Sequence, residues 1–206
     1  MNRRIEELSI TLARVEHGFK EIERCAAADF ASRDAQDVAE LARAARESET
    51  IQVRMYGVFL LGYLAPHDEH ALRILKDVVS CDEDWRVQEV LAKSFDRYCR
   101  DRGYEEALPI IDEWLSSGEP NVRRAVTEGL RIWTGRDYFR EHPEEAVRRL
   151  SALREDESEY VRKSVGNALR DISKKHPNLI AAELASWELD SKEVRQIHKL
   201  ASRLLA

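Results

Sequence analysis

The sequence has little of what builds disulfide frameworks or multidomain chains. Its 206 residues include only three cysteines, eight glycines and five prolines, and no CxxC motif occurs. Three widely spaced cysteines exclude a disulfide-rich secreted class and favour buried thiols in a reducing, cytoplasmic compartment. Because so few glycines and prolines leave no obvious linker, we expect one domain over residues 1–206.

Long apolar runs and catalytic signature motifs are also missing. No stretch approaches 18 apolar residues, so neither export nor a membrane span is predicted. The motifs GxxxxGK[ST], GxSxG and HExxH do not occur. His67 and His70 form an HxxH pair, but no acidic residue or cysteine has a suitable spacing to complete a metal site. The sequence therefore predicts no metal and no cofactor.

Excess positive charge is absent, since the formal net charge is -6. This value argues against a protein that holds nucleic acid by a bulk positive field, although it allows a local basic stripe. Acidic and basic residues are equal in number between Trp85 and Lys175, so the acidic excess lies in the rest of the chain, mainly the N-terminal third. We expect an anion to dock in the second half.

What the sequence does contain is a repeated helical segment that begins with a valine. The dipeptide recurs as Val53-Arg54, Val122-Arg123, Val161-Arg162 and Val194-Arg195, with Val87-Gln88 as a variant. The anchor valines are 34, 35, 39 and 33 residues apart, and each follows a polar turn and begins an amphipathic run. A period in this range predicts an all-α, α-α superhelix, a HEAT-like repeat solenoid of about six helix pairs.

The helices can be placed along the chain from their periodicity. Residues 1–49 are predicted to form N-terminal cap helices, and residues 50–206 the repeats. The run MYGVFLLGYLA is apolar on nearly every side, which predicts a helix sandwiched between others. We expect a helix from Asn121 to about Trp133, a long loop from Thr134 to Pro143, and core positions for Trp114 and Trp187.

Three carboxylates share one face of the anchored helices. Counted from the anchor valine, Glu89 lies at offset +2, Glu128 at +6 and Asp171 at +10. Each step is one turn, about 5.4 Å, and neighbouring helices lie about 10 Å apart, so the acids are predicted to form a diagonal track. The track is bordered by cationic residues, namely Arg124, Arg131, Lys163, Arg170 and Lys174.

Two interpretations of this strip stay open at this point. The charges are either ordinary solvated residues or a binding surface, and the apolar neighbours of Glu128 and Asp171 favour the second. Trp85, one turn before Glu89, and Trp133 either stack on sugars and bases or fill the seams between repeats.

The segment VRKSVGNALRDISKKHPNL resembles VRRSVANxLNDISKxHPDL of the bacterial DNA alkylation repair glycosylases built from HEAT-like repeats, the AlkC/AlkD superfamily. VRRAVTEGLRIW is similar to that family's VRRxVSEGxRPxxPW, and the spacing of Trp85 and Glu89 is similar to its tryptophan followed by an acid. The resemblance covers about Trp85 to Trp187.

This resemblance implies hydrolysis of the N-glycosidic bond of cationic alkylated purines, such as 3-methyladenine and 7-methylguanine, in double-stranded DNA. The family's catalytic acids carry over to Glu89, Glu128 and Asp171. A metal-free and cofactor-free monomer near the bacterial nucleoid is implied. The residues expected to contact DNA are Trp85, Lys93, Arg124, Arg131, Trp133, Lys163, Asn167, Arg170 and Lys174.

The chain departs from the family pattern at several positions. Arg170 replaces an asparagine, Gly166 replaces an alanine, and the RPxxPW run is reduced to Arg131-Ile132-Trp133. Two alternatives to an active glycosylase therefore remain. One is an inactive relative that binds DNA structures, and the other is a HEAT-repeat scaffold for a protein partner.

Overall fold

The computed structural model describes residues 3–205 and is helical throughout. These residues form thirteen α-helices and three short 3-10 helices, and they contain no strand, which confirms the all-α prediction. The chain divides into two compact units, Met1–Arg102 and Gly103–Ala206. The prediction of a single domain with cap helices in residues 1–49 stays a prediction.

Unit 1 is built around one fully enclosed helix. Its helices are α1 (Arg3–Leu12), α2 (Lys20–Ser32), α3 (Ala35–Arg46), α4 (Ile51–Leu64), α5 (Glu69–Asp77) and α6 (Trp85–Arg102), with a 3-10 helix at Val79–Cys81. Helix α4 contacts the other five α-helices, and its residues from Met55 to Leu64 are all buried. The MYGVFLLGYLA run is therefore sandwiched, as predicted from its uniform apolar character.

Unit 2 has a central helix of a different kind. Its helices are α7 (Leu108–Leu115), α8 (Pro120–Gly129), α9 (Asp137–Glu141), α10 (Pro143–Ser151), α11 (Glu159–Ser173), α12 (Pro177–Ala185) and α13 (Lys192–Ala201), with 3-10 helices at Trp133–Gly135 and Ser202–Leu204. Helix α11 contacts α8, α10, α12 and α13. It is amphipathic, and one buried carboxylate, Asp171, lies near its C-terminal end.

The structure explains the repeated Val-Arg dipeptide. All five anchor valines are buried, each with 1% exposure or less. In the four copies that have an arginine, its Nη1 donates to the two backbone carbonyls five and six residues earlier, as Arg123 does to Ser117 at 2.7 Å and Gly118 at 3.1 Å. The arginine therefore satisfies carbonyl groups of the turn that precedes its own helix.

Three of these four arginines also tie their repeat to the following one. Arg54 binds Asp82 through Nε at 2.8 Å, and Arg123 binds Asp156 through two hydrogen bonds of 2.6 and 2.9 Å. Arg162 instead donates to the side-chain oxygen of Gln196 at 2.8 Å. Because the anchor arginine both orders a turn and joins neighbouring repeats, it is an architectural residue.

Several predicted boundaries are wrong, and the largest error lies after α8. The helix expected to run to Trp133 ends at Gly129, because the backbone of Ile132 turns into the left-handed region with φ 58°. The segment expected as a loop contains a 3-10 helix and the short helix α9. Cys81 is exposed and Cys25 half-buried, so only Cys99 meets the expectation of buried thiols. The core positions predicted for Trp114 and Trp187 are confirmed.

Residues 3–205 contain neither a helix suited to span a membrane nor a cluster suited to bind a metal ion. None of the described helices is long and apolar enough to cross a membrane. In the same residues, no three His, Cys, Asp or Glu side chains are grouped so that they hold a metal ion.

Candidate active site

Two of the predicted carboxylates meet in unit 2 through one arginine. Arg131, just beyond the end of α8, donates from Nη1 to Glu128 Oε1 at 3.0 Å and from Nε to Asp171 Oδ2 at 3.1 Å. Glu128 lies on α8 and Asp171 on α11, and these two helices are in contact. The offsets +6 and +10 therefore do place these acids near each other.

Asp171 is the more buried member of the pair. Its side chain is 5% exposed, and it also accepts from Lys174 Nζ at 2.9 Å and from Arg170 Nη2 at 3.3 Å. Burial by itself raises the pKa of this carboxyl, but the hydrogen bonds from Lys174 and Arg131 and the charge of Arg170 outweigh burial and leave the pKa below its usual range. Asp171 is therefore ionised at neutral pH.

Glu128 is fixed by Ser164, a residue outside the predicted polar strip. Ser164 Oγ on α11 donates to Glu128 Oε2 at 2.9 Å, and the Glu128 side chain is 19% exposed. The serine lies at offset +3 from its anchor valine, a position not assigned to the polar strip. Glu128 is thus held by a hydroxyl on one oxygen and a guanidinium on the other.

The resulting cluster has a negative interior and a positive, more accessible edge. Lys174 is 57% exposed and Arg131 37%, while Arg170 is 21% exposed. Ions at a partly exposed edge can exchange partners with little loss, since water solvates them when they leave. The cluster can therefore accept an external cation in place of one of its own.

Trp133 is buried, which favours the second of the two interpretations left open by the sequence, packing within the fold. Its side chain is 0% exposed, and its ring packs edge-on against Phe139 with centroids 4.9 Å apart. A fully buried ring offers no face to a base, so this burial counts against the predicted contact of Trp133 with DNA. The turn at Ile132 is the reason, because it points the tryptophan inward and leaves Ile132 51% exposed.

The other predicted site residues of unit 2 lie on the same two helices as Glu128 and Asp171. Lys163 on α11 is 54% exposed and pairs with Glu159 at 2.7 Å. Arg124 on α8 and Asn167 on α11 are half-buried. Their predicted contacts with DNA stay predictions.

Three predicted site residues belong to α6 in unit 1. Trp85 is 68% exposed and borders a pocket of about 270 Å³ that Phe19, Met55 and Gln52 also line. Lys93 lies over the Phe19 ring, with Nζ 5.6 Å from its centroid. Glu89 is half-buried. Its membership of a carboxylate track with the acids of unit 2 stays a prediction.

Comparison with known proteins identifies the family. The family model described as DNA alkylation repair enzyme matches residues 18–203. This chain belongs to the DNA alkylation repair enzyme family.

Individual relatives extend this result. The crystal structure of AlkD2 from Streptococcus mutans is 55% identical, with a TM-score of 0.97 and 98% of both chains covered. The structure of smu.31 from Streptococcus mutans UA159 is 52% identical, with a TM-score of 0.95 over 99% of this chain and 98% of that one. These matches confirm the helical repeat fold.

A more distant relative is matched over only part of its length. YhaZ of Bacillus subtilis (strain 168) is 38% identical over an alignment of 87 residues, and the match covers 40% of this chain. The match spans 24% of YhaZ.

Proposed function

We propose that this protein is a DNA N-glycosylase that releases cationic alkylated purines, such as 3-methyladenine and 7-methylguanine, from double-stranded DNA. Family membership supports a role in DNA alkylation repair. The observation that carries the proposal is the buried, ionised carboxylate of Asp171, joined to Glu128 through a partly exposed arginine. A site with this charge pattern suits a substrate that combines a cationic base with an anionic backbone.

The proposed chemistry needs only a carboxylate and water. Alkylation gives the purine a positive charge, so the base leaves with the electron pair of the N-glycosidic bond and becomes neutral. Positive charge then develops on the sugar, where water adds at C1′ and gives up a proton to a carboxylate. At about 4 Å and an effective dielectric near 20, one carboxylate stabilises this charge by roughly 4 kcal/mol, on the order of a thousandfold in rate.

Arg131 controls whether the negative charge of the two carboxylates can act on a substrate. Its guanidinium bridges Glu128 and Asp171, so in this state the arginine holds the place that a cationic substrate takes. We propose that the lesion displaces Arg131, which then pairs with a DNA phosphate, as guanidinium groups readily do. Lys93, Arg124, Lys163, Asn167, Arg170 and Lys174 are proposed to contact the DNA backbone, and Trp85 to stack on a nucleotide.

The test is base release from methylated duplex DNA by the Asp171→Asn and Glu128→Gln variants. We expect single-turnover release of 3-methyladenine to fall on the order of a thousandfold in Asp171→Asn, and less in Glu128→Gln, since Glu128 is more exposed. The matched controls are Asp137→Asn and Glu157→Gln, whose side chains are 88% and 83% exposed. Undiminished release in both site variants would refute the assignment.

A second candidate function is DNA binding without base excision. The observation that favours it is the set of three cations around Asp171, which leaves this carboxylate no unopposed charge. Under this reading, the wild-type protein binds methylated or branched duplexes in a salt-dependent manner but releases no base. Gel-shift and base-release assays on the same protein separate the two functions, and no DNA affinity at any salt would favour the protein scaffold.

A further inference from the structure

Ile132 has a backbone conformation that its side chain opposes. With φ 58° and ψ 52°, it is the one non-glycine residue of the described chain in the left-handed region. A β-branched side chain is a genuine outlier there, because its Cβ crowds the following carbonyl oxygen. Residues held in this way persist only where the surrounding structure fixes them, and they cluster at functional sites.

The neighbours of Ile132 fix it from both sides. Leu130 and Trp133 are 0% exposed and anchor the chain in the core of unit 2. The carbonyl of Ile132 accepts from the Gly135 N–H at 2.7 Å, and the Trp133 carbonyl accepts from the Arg136 N–H at 2.8 Å. The turn therefore points the Trp133 side chain into the core and the Ile132 side chain toward solvent.

The strain is not compensated by burial of Ile132 itself. Its side chain is 51% exposed, and an aspartate, asparagine or glycine would adopt this conformation more readily. A single exposed apolar residue is ordinary, but one that is both exposed and strained gains little in the free protein. It also directly follows Arg131, the residue that bridges Glu128 and Asp171.

We infer that Ile132 supplies the apolar contact to the damaged nucleotide, packing against its deoxyribose or against the neighbouring base where the stack is weakened. This is the role that the sequence predicted for Trp133, which the fold buries. Apolar side chains, isoleucine included, serve as such wedges at distorted DNA steps. The inference rests on the proposed DNA function and adds one positioning residue to it.

The test uses substitutions that suit the backbone and remove the apolar surface. Ile132→Asn and Ile132→Gly both tolerate the left-handed region, so the Tm should stay unchanged or rise by about 2–4 °C. Affinity for a duplex with a tetrahydrofuran abasic analogue should fall about tenfold, which is about 1.4 kcal/mol. Affinity for the undamaged duplex should change less than twofold.

Two controls accompany these variants. Ile132→Val keeps an apolar, β-branched side chain and should keep the wild-type affinity for the abasic duplex. Leu189→Asn removes another exposed apolar residue of unit 2, which is 41% exposed, and should change neither affinity by more than twofold.

The outcomes separate this inference from the function on which it rests. If the wild-type protein binds neither duplex, both fail. If it binds the abasic duplex and Ile132→Asn and Ile132→Gly bind equally well, only the role of Ile132 is overturned. A fall in Tm by more than about 5 °C, with equal loss of affinity for both duplexes, would mark Ile132 as purely structural and would also overturn the role.

Discussion

Asp29 of unit 1 and Asp171 of unit 2 are both buried among cations, and the two aspartates differ in the groups that enclose them. Asp29 on α2 of unit 1 has a side chain that is 7% exposed, close to the 5% of Asp171 in unit 2. In both cases burial raises the carboxyl pKa, but hydrogen bonds lower it by more, so that the net pKa lies below its usual range. A lowered pKa therefore does not distinguish them.

Asp29 is closed from inside by a neutral group. Tyr56 Oη, on the enclosed helix α4, donates to Asp29 Oδ2 at 2.7 Å, and Arg4 and Arg33 bind the carboxylate at 2.8 and 3.1 Å. Burial and then the neighbouring Asp29 raise the pKa of the Tyr56 phenol, so it stays a donor at any ordinary pH. Because a fully buried hydroxyl cannot be displaced by a ligand, this site is structural.

Asp171 is closed by cations alone, and it shares one of them with a second carboxylate. Arg131 and Lys174 keep 37% and 57% of their side chains exposed. A cationic ligand can therefore replace an internal partner without opening the core. Arg4 and Arg33 of the Asp29 site are exposed to a similar extent, 32% and 36%. The lack of a buried neutral donor, rather than burial or a shifted pKa, therefore marks the aspartate suited to binding.

The largest loss of stability should come from removing the arginine partner of Asp156, a buried carboxylate of unit 2 with a structural role. Arg123 and Asp156 are 9% and 3% exposed, and Arg123 also binds two backbone carbonyls. Arg123→Met leaves Asp156 buried without its arginine and should lower the free energy of unfolding by about 3–5 kcal/mol. Urea denaturation measures the change.

The control for this prediction is the exposed pair of Arg148 with Glu145. Arg148 is 61% exposed, so Arg148→Met should cost less than about 0.5 kcal/mol. Equal costs for the two variants would show that burial of the pair does not matter.

The next largest effect compares the two aspartates directly. Asp29→Asn leaves Arg4 and Arg33 without a counter-ion beside a buried phenol, and it should lower the free energy of unfolding by about 2–3 kcal/mol. Asp171→Asn should cost about 1 kcal/mol, because no buried phenol loses its acceptor there and the partly exposed cations turn to water. Guanidinium titrations of both variants check this order, and a greater cost for Asp171→Asn would break the comparison.

The smallest effect is in the pH dependence of stability. Because the folded pKa of each aspartate lies below its usual value of 3.8, each contribution is present above that value and is lost as pH falls through the folded pKa. Stability should therefore drop below about pH 4, and less steeply in Asp29→Asn than in the wild type. Urea midpoints between pH 7 and pH 3 measure how stability falls with pH. Equally steep curves for the wild type and Asp29→Asn would contradict this expectation.

The sequence was most informative where one residue repeats one task. The Val-Arg period located all five anchored helices because each valine must be buried in the same register. The offsets of Glu128 and Asp171 also predicted a shared face, since helical geometry alone fixes it. What the arginine of the dipeptide does was not visible, because its carbonyl acceptors lie in turns whose backbone no periodicity describes.

The failures have equally local causes. Apolar periodicity continues past Gly129 and therefore predicts a helix through Trp133. A left-handed isoleucine is too rare to be expected from sequence. The sequence does not predict a buried site at Asp29, because its partners Arg4 and Tyr56 are 25 and 27 residues away and follow no motif. Interactions between distant residues that occur once in a chain leave no pattern to detect.

The glycine that departs from the family pattern links two positions of the chain. A Cβ at Gly166 would lie 2.7 Å from Leu200 Cβ, so α11 and α13 approach more closely than an alanine permits. Residues 166 and 200 are therefore not free to vary independently: restoring the alanine requires a smaller side chain at 200 or a shift of the last helix. The two helices therefore constrain each other sterically, and a substitution at either position must be judged against the side chain at the other.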